Sequence, residues 1–205
     1  MNLLLIKSSL FGNDGVSSRL ADELVAARMA RHPDLQVTVR DLAADPVPHL
    51  DADRFHAFLA KPQERTPAQQ AAVDYSDALI AELKRADVIV LGLPMYNFAL
   101  PSTLKAYFDH IARAGATFKY TDAGSVGLLG GKKVYVVAAR GGRYAGTAND
   151  SESAYVRYFL AFLGLTDVEF VFAEGLTISE ESRKQGLERA HEHIARLGEP
   201  ERLAA

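Results

Sequence analysis

Val88-Ile89-Val90-Leu91-Gly92-Leu93-Pro94-Met95-Tyr96-Asn97-Phe98-Ala99-Leu100-Pro101 is the stretch that decides how this chain folds. Its first half is a short, continuously apolar run. A strand buried on both faces has that pattern, and such strands belong to parallel sheets flanked by helices. Its second half breaks at Pro94 yet stays hydrophobic where a surface connection is due. Tyr96, Phe98 and Met95 there form one wall for a flat aromatic ligand. Asn97 offers a donor and an acceptor to a ring edge that carries both.

Working outward, the run Asp87–Leu93 has four counterparts, Asn2–Lys7, Gln36–Leu42, Lys132–Ala139 and Asp167–Ala173, and helical patterns alternate with all five. That alternation predicts an α/β fold with helices on both faces of a parallel sheet. Leu3-Leu4-Leu5-Ile6 and Val134-Tyr135-Val136-Val137 are as apolar as the central run. The second run alternates polar and apolar residues, and the fifth carries Glu169, so these two belong at the edges. The expected order is 2-1-3-4-5, a flavodoxin-like three-layer arrangement. Ligands then sit at the carboxyl ends of the strands, beside the switch point between strands one and three.

The helices carry their own signals. Leu20, Leu24 and Ala27 align on one starting near Ser17 or Ser18. Thr66-Pro67-Ala68-Gln69 reads as a capping box with proline in the first turn. A third helix begins at Pro101 and aligns Leu104, Phe108 and Ile111. A fourth, from about Ser151 to Leu163, bears Tyr155, Tyr158, Phe159 and Phe162, an apolar face broader than one sheet contact needs. It reads as a subunit interface, a pocket wall or an aromatic core. The last starts near Ser179 and stops at Gly198 and Pro200. The connection Ala43–Arg65 lacks a clear period, and Thr117–Gly131 is an insertion.

Composition narrows the chemistry. The 205 residues include no cysteine, which excludes disulfides, thiolate nucleophiles and cysteine-held metals. A net charge of −3 with mixed signs argues against a nucleic-acid surface. The run Leu3–Ile6 is too short for a signal or a membrane span. We therefore expect one cytoplasmic domain over residues 1–205. Gly130-Gly131-Lys132-Lys133 lacks the spacing and hydroxyl of a P-loop. His191 and His193 stand two apart on a helix and do not form a metal pair.

Three strand-to-helix loops share the expected ligand edge. Ser8-Ser9 through Gly15-Val16-Ser17-Ser18 joins a strand end to a helix start, where amides and hydroxyls favour a phosphate. The aromatic loop follows the third strand. Ala139-Arg140-Gly141-Gly142 follows the fourth, and its paired glycines allow close backbone approach to a planar heterocycle. A phosphate site with two loops around a flat polar ring describes a flavin mononucleotide (FMN) pocket.

Pro94-Met95-Tyr96-Asn97-Phe98 resembles the flavin-ring loop of the FMN-dependent NADH-azoreductases, also known as NADH:quinone oxidoreductases. Arg140-Gly141-Gly142, Lys7-Ser8-Ser9, Thr117-Phe118-Lys119-Tyr120-Thr121 and Phe170-Val171-Phe172-Ala173-Glu174-Gly175 are similar to other segments of that family. The resemblance spans nearly the whole chain. It implies FMN contacts at Ser9, Gly15, Val16, Ser17, Met95, Tyr96, Asn97, Phe98, Ala139, Arg140, Gly141 and Gly142. It places Tyr120 and Phe162 on the substrate side, and it implies a homodimer whose sites draw on both subunits. It further implies ping-pong reduction of quinones and azo compounds by NADH or NADPH, with no catalytic side chain required. Two departures stand out: Gly15-Val16 replaces the family's common Ser-Gln, and Ala139 a common serine. Both positions retain backbone N–H groups.

Two other readings compete. An electron-carrier flavodoxin is typically smaller and strongly acidic, unlike this chain. A cofactor-free binding module has no reason for Tyr96 and Phe98 at a strand's mouth.

Overall fold

Leu3, Leu5, Val88, Val90, Val137 and Val171 point to one face of a sheet, and Leu4, Ile6, Ile89, Leu91, Val136 and Phe170 to the other. The period of two in each strand thus builds two separate cores. A computed structural model describes residues 1–197, so the helix stop expected at Gly198 and Pro200 lies outside the described residues. The main sheet comprises β1 (Asn2–Lys7), β2 (Gln36–Asp41), β3 (Val88–Pro94), β6 (Lys133–Ala139) and β7 (Asp167–Ala173). All its pairings are parallel, in the order β2-β1-β3-β6-β7. The expected numbering, 2-1-3-4-5, needs correcting. A small antiparallel hairpin, β4 (Phe118–Thr121) and β5 (Gly124–Gly127), lies between the third and fourth sheet strands in sequence and outside the sheet in space.

α1 (Val16–Arg31) and α6 (Glu180–Leu197) cover one face of the sheet. α3 (Pro67–Arg85), α4 (Ser102–Ile111) and α5 (Ser151–Phe162) cover the other. The Thr66 capping box is present: the Thr66 hydroxyl accepts from the Gln69 amide at 3.3 Å, and Gln69 Oε1 accepts from the Thr66 amide at 2.9 Å. The connection Ala43–Arg65 is more ordered than its sequence suggested. It contains α2 (Ala52–Leu59), capped by Asp51, and a single 3-10 turn over Pro62–Glu64. No helix among the described residues is long and apolar enough to cross a membrane.

Because the sheet strands are parallel, their carboxyl ends share one edge. The registers Lys7↔Gly92 and Pro94↔Ala139 set three of those ends side by side. The fold thereby assembles the three loops singled out in the sequence.

Candidate functional site

α1 begins at the first of these ends. Its N-cap is Gly15, and no side chain caps the helix. The first amides of a helix have no intrahelical partner. Here the Arg19 amide reaches the Gly15 carbonyl, whereas those of Val16, Ser17 and Ser18 have no protein acceptor among the described residues. Ser17 and Ser18 are fully buried, and both hydroxyls are without a partner. A β-carbon on Gly15 would lie 2.1 Å from Ser9 Oγ, so glycine lets the helix start directly against Ser9. Unanswered amides, two orphaned hydroxyls and the positive end of the helix dipole form a cradle for a phosphate. Despite the departure at Gly15-Val16, the amides at this helix start remain free for an anion among the described residues.

Strand ends hold the cradle rigid. Ser8 Oγ donates to the Gly92 carbonyl at 2.7 Å. The buried Lys7 ammonium bonds Asp22 at 2.7 Å and Asn13 at 2.9 Å, tying β1 to α1 and to the turn before it. Arg19 is exposed.

The second loop stands next to the first. The Leu10 amide donates to the Tyr96 hydroxyl at 3.3 Å, and Ser9 Oγ lies 3.4 Å from that hydroxyl. Tyr96 and Ala99 exchange both backbone hydrogen bonds, closing a two-residue turn at Asn97-Phe98. Both central residues are left-handed, with φ of 50° and 65°. That is the pattern of a type I′ turn, which favours asparagine at its first position and glycine at its second. Phe98 takes the second position instead, and the residue is 63% exposed. Tyr144 meets its ring edge-on at 5.9 Å, and Ser151 Oγ donates to the Phe98 carbonyl at 3.0 Å.

In the third loop, Ala139 is buried and its carbonyl accepts from the Met95 amide at 3.0 Å, joining the second and third loops. The amides of Gly141 and Gly142 have no protein acceptor among the described residues, which leaves them available to a ligand. A β-carbon on Gly141 would meet Thr177 Oγ1 at 2.6 Å, and one on Gly142 would meet the Tyr144 ring at 2.6 Å. The absence of a β-carbon at these glycines therefore makes room for neighbouring protein, Thr177 and Tyr144.

Arg140 faces inward. Its side chain is fully buried, with Nε 3.1 Å from Glu152, and its other nitrogens reach Glu174 at 3.2 Å, Asp150 at 3.1 Å and Ser153 Oγ at 2.7 Å. Its amide and carbonyl pair with Ala173 and Leu176. Arg140 thus anchors the loop to α5 and to the end of β7. Glu174 also accepts from the Tyr144 and Ala145 amides, both at 2.9 Å. The sequence reading gave Glu152 and Glu174 no role. Burial holds the Glu152 carboxyl up at about 7, with Arg140 opposing and Asp150 adding to the shift. Burial also pushes Asp150 up, but its bonds to Ser153 and Arg140 outweigh that and leave it below the usual carboxylate range.

An apolar cavity of about 460 Å³ adjoins the second loop, lined by Phe98, Leu100, Lys105, Glu152 and Tyr155 among others. Tyr120 and Phe162 lie elsewhere. Both contact Phe118, Phe162 at 4.4 Å and Tyr120 at 5.4 Å between ring centroids, by the hairpin and the C-terminal end of α5. Phe98 is held at the other end of α5, by Ser151. Eleven residue steps along the helix separate Ser151 from Phe162, roughly 16 Å of rise. Ser9, Gly15, Val16, Ser17, Met95, Tyr96, Asn97, Phe98, Ala139, Gly141 and Gly142 thus line one sheet edge, with Arg140 behind it and Tyr120 and Phe162 apart.

Comparison with known proteins bears on the whole chain. The profile of a family described by its flavodoxin-like fold matches residues 1–197. An FMN-dependent NADH:quinone oxidoreductase of Alcanivorax borkumensis is 54% identical over 95% of this chain and 98% of its own length. The chain belongs to the FMN-dependent NADH:quinone oxidoreductase family. Another member, from Cellvibrio japonicus, is 55% identical over 88% of this chain and 91% of its own. Two solved structures from Bacillus anthracis share the family's architecture. One azoreductase superposes with a TM-score of 0.89 at 28% identity, covering 97% of this chain and 98% of its own. The other, an FMN-dependent NADH-azoreductase in complex with FMN, gives 0.85 at 27% identity over 97% of this chain and 100% of its own.

Proposed function

We propose that this chain is an FMN-dependent oxidoreductase that takes electrons from NADH and reduces quinones, with azo compounds as further acceptors. The observation that carries this reading is the pair of buried, unpartnered Ser17 and Ser18 hydroxyls at an uncapped helix start, beside two loops with free amides. Such a set of donors matches a phosphate monoester joined to a flat heterocycle. The family relationship supplies the identity of that ligand.

Each element then has a task. Val16, Ser17 and Ser18 hold the phosphate. Tyr96 braces the first loop against the second. The turn at Asn97-Phe98 presents an aromatic face and a side-chain amide. The free Gly141 and Gly142 amides would donate to the ring, and fixed donors of that kind stabilise developing negative charge. When bound, FMN supplies the hydride and electron chemistry, and the protein supplies position and electrostatics. NADH and the acceptor would occupy the site in turn, which predicts ping-pong kinetics.

We further propose a homodimer in which Tyr120 and Phe162 of each protomer complete the site of the other. The length of α5 between Phe162 and Phe98 supports this arrangement, as does the exposure of Tyr120, Tyr158, Val126 and Leu128 near the hairpin. A cytoplasmic location, where NADH is available, belongs to the same reading.

The direct test is optical. Protein purified without harsh steps and supplied with FMN should be yellow, bleach with NADH under nitrogen and recover its colour on adding a quinone. A colourless protein that retains no FMN would defeat the reading.

A further inference from the structure

Three carboxylates surround the single guanidinium of Arg140, which leaves the buried cluster two negative charges in excess if all are ionised. The three are not equivalent. Glu174 accepts from two backbone amides as well as from Arg140. Asp150 caps α5 through the Ser153 amide at 3.1 Å. Glu152 bonds only Arg140, through Oε2, while Oε1 is buried with no partner. A buried carboxylate oxygen without a donor is costly, and a proton on Oε1 makes that oxygen neutral and removes one of the excess charges. Glu152 also lines the apolar cavity beside Phe98, and Arg140 is continuous with the loop whose free amides face the ligand.

We propose that Glu152 is a proton-holding residue of this site, storing on Oε1 the one solvent proton that each catalytic cycle consumes. The proposal rests on the FMN reading. NADH delivers a hydride, two electrons and one proton, while reduction of a quinone to a hydroquinone needs two electrons and two protons. The remaining proton comes from solvent. Negative charge arriving with the hydride beside Gly141 and Gly142 would raise the proton affinity of Glu152, which is linked to that loop through Arg140, and Glu152 would take its proton from solvent at that point. Departure of the hydride to the quinone removes that charge, and the stored proton leaves to complete the hydroquinone. Arg140 stabilises the carboxylate left behind. The other ionisable groups facing Glu152 are Asp150 on α5, Glu174 at the end of β7, and Lys105, His49 and Tyr155 around the cavity. Of these, Lys105 is already paired with Asp109 at 2.6 Å.

The test compares the FMN-loaded protein with its Glu152→Gln variant, which keeps an oxygen for Arg140 but has no acid. Each is mixed anaerobically with one equivalent of NADH in weak buffer at pH 7.5, with an indicator dye reading proton uptake. The wild type should take up more protons per FMN reduced than the variant, by a sizeable fraction of one, and correspondingly fewer when benzoquinone is then added, because its stored proton goes to the hydroquinone. Equal uptake by the two proteins would overturn the proposal. Infrared spectra of the FMN-free wild type supply a second measurement should the variant misfold. A carboxylic-acid band should be present at pH 6 and lost by pH 9, with a midpoint near the carboxyl's value of about 7. Absence of that band at pH 6 would also sink it. Failure to bind FMN defeats the functional reading and the reservoir together, whereas normal FMN binding with equal proton uptake defeats the reservoir alone.

Discussion

Phe98 holds a backbone conformation that costs a non-glycine residue roughly 1–2 kcal/mol. The residue is largely exposed, so burial does not compensate. Backbone strain of this kind clusters at functional sites, and here it leaves an aromatic residue exposed at the carboxyl edge of the sheet. Tyr96 acts differently, through its hydroxyl contacts to Ser9 and the Leu10 amide. Tyr96→Ala removes that brace, and FMN affinity should fall about tenfold, the equivalent of one net hydrogen bond. Fluorescence titration of the FMN-free protein measures this. Glu152 makes a second prediction. In the folded chain its carboxyl titrates near 7, against an ordinary 4.5. The folded state therefore keeps a proton that the unfolded chain has already released. The stability from this group is complete below the unfolded value and is lost as pH rises through the folded one, about 3 kcal/mol in all. Chemical unfolding should show Glu152→Gln gaining on the wild type from pH 5 to about pH 7 and levelling off above that. The placement of Tyr96 and Asn97 in a turn at the carboxyl edge of the sheet was legible because hydrophobic residues crowd a segment that ought to be polar. The direction of the Arg140 side chain was not legible, because it depends on carboxylates contributed by α5 and the end of β7.

Among the elements, the sheet and its long helices are written in periodicity that a reader of sequence can follow. α3 shows this best, since proline and both halves of its capping box stand within four residues. Thr66→Ala should destabilise the protein by about 1 kcal/mol, read as a lower urea midpoint with an unchanged slope. α2 escaped notice for the opposite reason. It spans eight residues and fully buries only Ala57, so its apolar pattern has no room to repeat. The hairpin was visible only as an insertion. Its docking depends on Gly127, where a β-carbon would lie 2.0 Å from the Gly164 nitrogen, a pairing of distant glycines that no local pattern announces.

For the molecule as a whole, the parallel sheet gathers three loops at one edge, whereas Tyr120 and Phe162 stay at the far end of α5. Site completion by a second copy can be tested by mixing subunits. A Tyr96→Ala, Asn97→Ala protein and a Tyr120→Ala, Phe162→Ala protein should each be weak alone. Unfolded together and refolded, they should recover roughly a quarter of wild-type activity, since half the dimers are mixed and each of those has one intact site. No recovery would show that each protomer builds its site alone.

The bare start of α1 has a further consequence, for folding itself. Each buried polar atom left unanswered costs about 1–3 kcal/mol, so the chain folds under a deficit until an anion arrives. Free phosphate should already raise its melting temperature, and FMN at a hundred times its dissociation constant should add about 2.7 kcal/mol. A newly made chain would then complete its own stabilisation by scavenging its prosthetic group. In a cell starved of riboflavin, this protein would be degraded before it stood idle.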